Sequence, residues 1–308
     1  MRVSHESSFS SSNFIKRPDF FIVGAPKCGT TALYEYLRQH PDIFMPELKE
    51  PHYFSSDLHP LYRTTGLDNY LALFKEAQAH QQSGEASSSY LYSKIAASAI
   101  EAFNPLARII ILLRNPVDAI YSSHSYNLFS GNEAIQDLET ALELEEDRKQ
   151  GRQIPESCRY IETLFYRDRY RYVSQVQRYF DLFGRSQVWV IIYDDLRNRL
   201  PQVYADTLRF LGVDAGFKPT LSVVNPNKQV RGLRLHHLVL RLSQLKAWLW
   251  LRRWIPFDVW QLYLKLNITE RPRPAMPSEL RRRLIAEFAP EVARLSQLIE
   301  RDLGAWSQ

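Results

Sequence analysis

Residues 19–37 read DFFIVGAPKCGTTALYEYL, and this stretch constrains the fold more than any other part of the chain. Phe20 to Val23 is an unbroken run of apolar residues that favour extended backbone, as a strand buried on both faces requires. Gly24, Pro26 and Gly29 then interrupt the chain, and from Thr30 the spacing of Ala32, Leu33, Tyr36 and Leu37 becomes helical. A strand, a glycine loop and a helix start together aim backbone N–H groups and the positive end of a helix dipole at one point. Such a point attracts a phosphate-like anion.

The loop resembles the P-loop of nucleotide-splitting enzymes, GxxxxGK[ST], with an informative difference. It runs Gly24-Ala25-Pro26-Lys27-Cys28-Gly29-Thr30-Thr31, so Thr30 stands where the P-loop keeps its lysine and the lysine lies inside the loop. An ATP-splitting enzyme also needs an acidic Mg²⁺ ligand at the end of a nearby strand. The next apolar run, Arg108 to Leu113, ends instead in Arg114-Asn115-Pro116, which argues against a kinase or phosphotransferase using ATP. A cysteine phosphatase is disfavoured as well, because position 34, six residues after Cys28, is tyrosine and not arginine. Cys28 reads as a small loop residue.

The loop APKCGTTAL and the later segment LLRNPVDAIYSS resemble the two nucleotide-binding signatures of sulfotransferases that use 3′-phosphoadenosine 5′-phosphosulfate (PAPS). The resemblance implies that Lys27, Cys28, Gly29, Thr30 and Thr31 grip the 5′-phosphosulfate. It also implies that Arg114 and Ser122, eight positions apart, grip the 3′-phosphate. Lys49-Glu50-Pro51-His52-Tyr53-Phe54 is similar to the acceptor segment of the heparan-sulfate and carbohydrate branch, and Pro277 to Trp306 to the family's closing helix. In that branch a Glu ahead of an aromatic pair serves as the base, which favours Glu50 over His52. Glu85 is a weaker alternative: a Lys follows the comparable Glu in the heparan branch, and here Ala86 follows. A basic loop closes over the 3′-phosphate in the family, so the resemblance adds Arg271 or Arg273 to the cofactor site. The likeness runs from about Asp19 onward and weakens over 128–165 and 233–266.

Elsewhere the chain alternates strands and helices. Strands are expected at Arg108–Leu113 and Gln187–Tyr193. Helices are expected at about Asp68–Ala79 and Ser93–Phe103, from Pro116, and at Asp137–Lys149, Tyr166–Phe183 and Pro201–Leu211, with Gly184 and Gly212 as stops. Asp137–Lys149 reads as an acidic, solvated surface helix. The pattern predicts an α/β fold, a P-loop-like parallel central sheet flanked by helices on both faces. Residues 1–17, Ser-rich and without an apolar core, read as a disordered tail before one domain over 18–308.

Charge and composition bound the partners. The formal net charge of +5 suits a poly-anionic cofactor, and no basic stripe with interleaved aromatics marks a nucleic-acid binder. Two cysteines give no disulfide framework, which makes a reducing, cytoplasmic compartment the default. The segment 235–266 carries leucines at helical spacing with Trp248, Trp250, Trp254, Trp260 and interspersed Arg and Lys; it reads as a core or lid stripe, or as a peripheral membrane contact.

The chemistry assigned to the residues follows from charge. Lys27 meets the oxygen joining phosphate to sulfate, where negative charge accumulates as the sulfuryl group departs. The guanidinium fork of Arg114 matches phosphate oxygens. Glu50 or His52 takes the proton of the attacking hydroxyl. The expectation is therefore in-line, metal-independent transfer of a sulfuryl group from PAPS to a hydroxyl, or less readily an amine, of a glycan, lipid or small molecule. The competing classes are an ATP-using phosphotransferase and a non-catalytic nucleotide-binding partner protein.

Overall fold

The computed structural model describes residues 16–60, 62–220, 228–230, 268–270 and 273–307. Five parallel strands form the central sheet: β1 (Phe20–Gly24), β2 (Ile43–Phe44), β3 (Gln82–Ala86), β4 (Arg108–Leu113) and β5 (Val188–Ile192). Their order is β2-β3-β1-β4-β5. Phe20 to Val23 and Ile109 to Leu113 are fully buried. Because successive strand residues point to opposite faces, both faces of the sheet are covered, as the apolar runs predict. Each such side chain contributes about 1.5 to 3 kcal/mol by leaving water.

Helices of eight residues or more surround the sheet: α1 (Thr30–Leu37), α2 (Ala96–Phe103), α3 (Pro116–Ser130), α4 (Tyr172–Phe183), α5 (Leu200–Leu211) and α6 (Ser278–Leu298). The start of α3 is set locally. Asn115 Oδ1 accepts the Val117 N–H at 3.0 Å, Pro116 fits the first turn, and Gly131 closes the helix at φ 79°. The closing helix α6 is tied to α3 by Arg281, whose guanidinium donates to Asp118 at 2.7 Å. A short antiparallel pair, β6 (Lys228–Val230) with β7 (Ile268–Glu270), lies apart from the main sheet. Parallel pairing of β1 with β4, Phe20 opposite Arg108 and Ile22 opposite Ile110, brings Gly24 and Arg114 to the same edge of the sheet. Ligands of open α/β sheets bind at that edge, the carboxyl ends of the strands.

Several elements differ from their sequence reading. Strands β2 and β3 are absent from it, because Gln82-Ser83-Gly84-Glu85-Ala86 lacks any apolar or β-branched run. Its place depends on close packing: a Cβ on Gly84 would stand 2.1 Å from Phe20 Cζ, so only glycine fits beneath that ring. The long helix expected over Tyr166–Phe183 is two, Tyr166–Arg169 and α4. Gln175 Nε2 donates to the carbonyls of Asp168, Arg169 and Arg171 and so fixes the break. The acidic helix over Asp137–Lys149 is likewise divided, into Leu138–Glu143 and Glu145–Lys149, and is not a purely solvated surface, since Glu145 and Arg148 are buried. The helix expected over Asp68–Ala79 stops at Leu71, followed by a 3₁₀ turn over Ala72–Phe74. Residues 1–15, the Trp-rich segment 235–266 and Arg271 lie outside the described residues. Among the described residues no helix is long and apolar enough to cross a membrane.

Candidate active site

The loop after β1 is held in an unusual backbone shape. Gly29, the residue before α1, has φ 95°, and a Cβ there would meet Leu196 at 2.8 Å, so glycine is required twice over. Lys27 has φ 64° although it carries a side chain. Five non-glycine residues among those described have positive φ: Lys27, Glu50, His52, Gln153 and Glu300. Three of the five are the candidate catalytic residues, and such strain persists where the surroundings over-determine it, often at functional sites. Among the described residues the N–H groups of Lys27, Cys28 and Gly29 find no acceptor, and those of Thr30 and Thr31 lie in the first turn of α1. The N–H groups are therefore free to bind an anion.

Cys28 is placed inward. Its thiol is fully buried against Tyr172, with Sγ 3.7 Å from the hydroxyl, and burial pushes it up to about 12. It offers a ligand its backbone N–H and no nucleophile.

Cations converge above the loop. Lys27 Nζ lies 4.2 Å from the centre of the Tyr126 ring, Arg114 Cζ 4.6 Å from that of Tyr193, and Arg273 Cζ 5.3 Å from that of Tyr121. Arg114 also reaches the Lys27 carbonyl, at 3.5 Å. Arg273 donates to Ser122 Oγ at 3.2 Å, so a residue far along the chain joins the pair on β4 and α3. Asp118, the obvious structural partner for Arg114, is engaged by Arg281 instead. The Lys27 ammonium is pushed down to about 8, first by burial and then by the neighbouring Arg273 and Arg114. Burial, followed by repulsion from Arg114, likewise lowers Arg273. Positive groups crowded this closely favour a poly-anionic ligand between them.

The model of the family described as the sulfotransferase domain matches residues 17–230. The chain belongs to the sulfotransferase family. It is 32% identical to carbohydrate sulfotransferase 15 of Homo sapiens over 39% of this chain and 29% of that protein. It is also 32% identical to heparan sulfate glucosamine 3-O-sulfotransferase 3B1 of Mus musculus, over 40% and 30%. The chain thus spans less than a third of the length of these curated relatives. A crystal structure of a sulfotransferase from Alicyclobacillus acidocaldarius shares the fold with a TM-score of 0.72 and 33% identity, covering 95% of this chain and 100% of that one.

In this sulfotransferase the segment carrying Glu50 and His52 is held by three consecutive serines. The His52 N–H donates to Ser87 Oγ at 3.1 Å, Ser88 donates through N and Oγ to the Glu50 carboxylate at 2.8 and 2.9 Å, and Ser89 Oγ lies 2.7 Å from His52 Nδ1. Glu50 also pairs with Lys49 at 2.5 Å and stands 3.8 Å from His52 Nε2. Burial alone would raise the Glu50 carboxyl, but Lys49, His52 and Ser88 outweigh it and hold it below its ordinary value. Burial lowers His52, with Glu50 opposing. Near neutral pH both groups are therefore in the form that accepts a proton.

Glu85 lies elsewhere. It is fully buried in β3, where its carboxylate accepts from the hydroxyls of Tyr70 at 2.7 Å and Tyr90 at 3.1 Å, and burial pushes it up to about 7. Tyr90 in turn accepts the Phe54 N–H at 3.2 Å, and Tyr70 stacks on Tyr53 at 4.3 Å. Glu85 supports the aromatic pair from beneath and is closed off from solvent.

Tyr126 and Tyr193 were not singled out by sequence reasoning. Tyr126 lies one helical turn past Ser122 on α3, and Tyr193 directly follows β5, so helical spacing and the strand-end rule were the available signals.

Proposed function

We propose that this protein transfers a sulfuryl group from PAPS to a hydroxyl, or less readily an amine, of a glycan, lipid or small molecule. The observation that carries the reading is the convergence of Lys27, Arg114, Ser122 and Arg273 over a loop with free N–H groups. PAPS, when bound, supplies the sulfuryl group and a phosphate leaving group. The loop N–H groups and Thr30 and Thr31 hold its 5′ end; Arg114, Ser122 and Arg273 hold its 3′-phosphate. Glu50 takes the proton from the attacking hydroxyl as the new bond to sulfur forms. Lys27 meets the charge left on the phosphate oxygen as the bridging S–O bond breaks. No step in this scheme calls on a metal. The names of the relatives, carbohydrate and heparan sulfate sulfotransferases, favour a glycan among the acceptors. Cys28 and Cys158 are both free thiols, which supports a reducing, cytoplasmic setting.

Thermal unfolding tests the donor. 3′-Phosphoadenosine 5′-phosphate at about 100 times its Kd is expected to add roughly 2.7 kcal/mol of stability. ATP with Mg²⁺ is expected to add much less. Equal shifts with both nucleotides would remove the basis for PAPS as donor.

A further inference from the structure

Arg169 ends the short helix Tyr166–Arg169 and is 4% exposed, yet among the described residues no carboxylate lies within ion-pair distance of it. Among the described residues its buried Nε has no hydrogen-bond partner. Among the described residues its guanidinium has a ring as neighbour, with Cζ 5.7 Å from the centre of Tyr160. Burying a guanidinium is costly unless an anion and hydrogen bonds answer it, and a cation–π contact offsets only a small part.

The surroundings of Arg169 point to the acceptor side of the site. The Tyr160 ring that it faces lies 6.0 Å from the His52 ring. The positive charge of Arg169 also bears on His52, disfavouring its protonation. The next residue, Tyr170, donates its hydroxyl to the Pro26 carbonyl of the anion loop at 3.3 Å. Arg169 therefore stands where the base segment and the anion loop meet, and it belongs to neither the Arg114–Ser122–Arg273 group nor the loop itself.

We propose that Arg169 is a specificity residue that binds an acidic group of the acceptor, a carboxylate or sulfate next to the hydroxyl that attacks. The inference rests on the sulfotransferase reading with a glycan acceptor. It makes the acceptor acidic and gives the buried guanidinium its missing counter-ion on binding.

The test uses full-length protein saturated with 3′-phosphoadenosine 5′-phosphate, so that the nucleotide cations are already occupied. Methyl β-D-glucuronide and methyl β-D-glucoside are titrated in by calorimetry. The wild type is expected to bind the acid at least about 10-fold more tightly, the low end of what hydrogen bonds to charged groups supply. Arg169→Met is expected to abolish that preference while raising the melting temperature, because it removes an unmatched buried charge. Arg169→Lys is expected to keep part of the preference. No preference for the acid in the wild type overturns the proposal. A preference that survives Arg169→Met, or a Met variant that melts lower with its preference intact, overturns it too and makes Arg169 a structural residue. Failure of either sugar to become sulfated when PAPS is supplied counts against the transferase reading, while the binding preference still decides the subsite.

Discussion

Two regions of this molecule bury positive charge, and they do so in opposite ways. Beneath the C-terminal end of α3, Arg148 is 1% exposed and forms a two-pronged pair with Glu133, at 2.7 and 2.8 Å. Glu133 also accepts from the N–H groups of Ala134 and Ile135 and from the Tyr166 hydroxyl, so every charge there is matched within the protein. At the mouth of the sheet, Lys27 and Arg114 have no carboxylate within ion-pair distance among the described residues. They lean on the rings of Tyr126 and Tyr193 and repel one another. A closed arrangement of this kind holds structure. An open one suits an anionic ligand, and the two kinds of charge should respond differently to mutation.

The largest expected effect lies in the closed region. Removing one partner of a buried pair leaves the other uncompensated, so Arg148→Ala is expected to destabilise the protein by about 3 to 5 kcal/mol in urea unfolding. That is a large share of the 5 to 15 kcal/mol typical of a domain. The preference for 3′-phosphoadenosine 5′-phosphate over ATP with Mg²⁺ should persist in the molecules that remain folded. If Arg148→Ala left stability unchanged and abolished that preference, the contrast between the regions would be reversed.

The open region was far more legible in the sequence than the closed one. Lys27, Cys28, Gly29, Thr30 and Thr31 are contiguous, and Arg114 directly follows a strand while Ser122 lies in the helix that begins two residues later, elements whose local signals are strong. Arg273 joins them from 151 positions beyond Ser122, by a tertiary contact that only the resemblance suggested. The Glu133–Arg148 pair links a loop to a segment that reads as a solvated helix, because burial of a charged residue depends on what packs over it. Strand β3 was hidden for a similar reason: its polar sequence is held in place by Phe20 above Gly84 and by the tyrosines around Glu85. Arg169 has no local signature at all; what marks it is a buried Nε with no partner among the described residues.

A second disturbance, which leaves the fold intact, separates the chemistry of the open region from its grip. Glu50→Gln keeps the shape of its segment and removes the proposed proton acceptor. Turnover with PAPS is expected to fall by about 10² to 10⁴, the usual range for a general base. Nucleotide binding, followed by thermal shift, is expected to be nearly unchanged. His52→Gln is the parallel measurement. Near-normal turnover in Glu50→Gln together with its loss in His52→Gln would move the base to the imidazole.

The smallest effect is a pH dependence, and it distinguishes the two regions without changing the fold. Lys27 is pushed from 10.5 to about 8 in the ligand-free protein, by burial first and then by Arg273 and Arg114. The folded value lies below the unfolded one, so folding disfavours the ammonium. That penalty is fully present below about pH 8 and is relieved as pH rises from about 8 toward 10.5. A bound phosphate group replaces repulsion by attraction and raises the lysine again, so between the two values binding takes up a proton. The Kd for 3′-phosphoadenosine 5′-phosphate is therefore expected to rise above pH 8 by up to about tenfold per unit, which is roughly 1.4 kcal/mol. Over the same interval the contribution of Lys27 to ligand-free stability moves in the opposite direction. Calorimetric titrations from pH 7 to 10 measure the first slope, and urea unfolding measures the second. Lys27→Met should flatten both. An affinity that stayed constant to pH 10 in the wild type would mean that the ammonium of Lys27 does not contact the nucleotide.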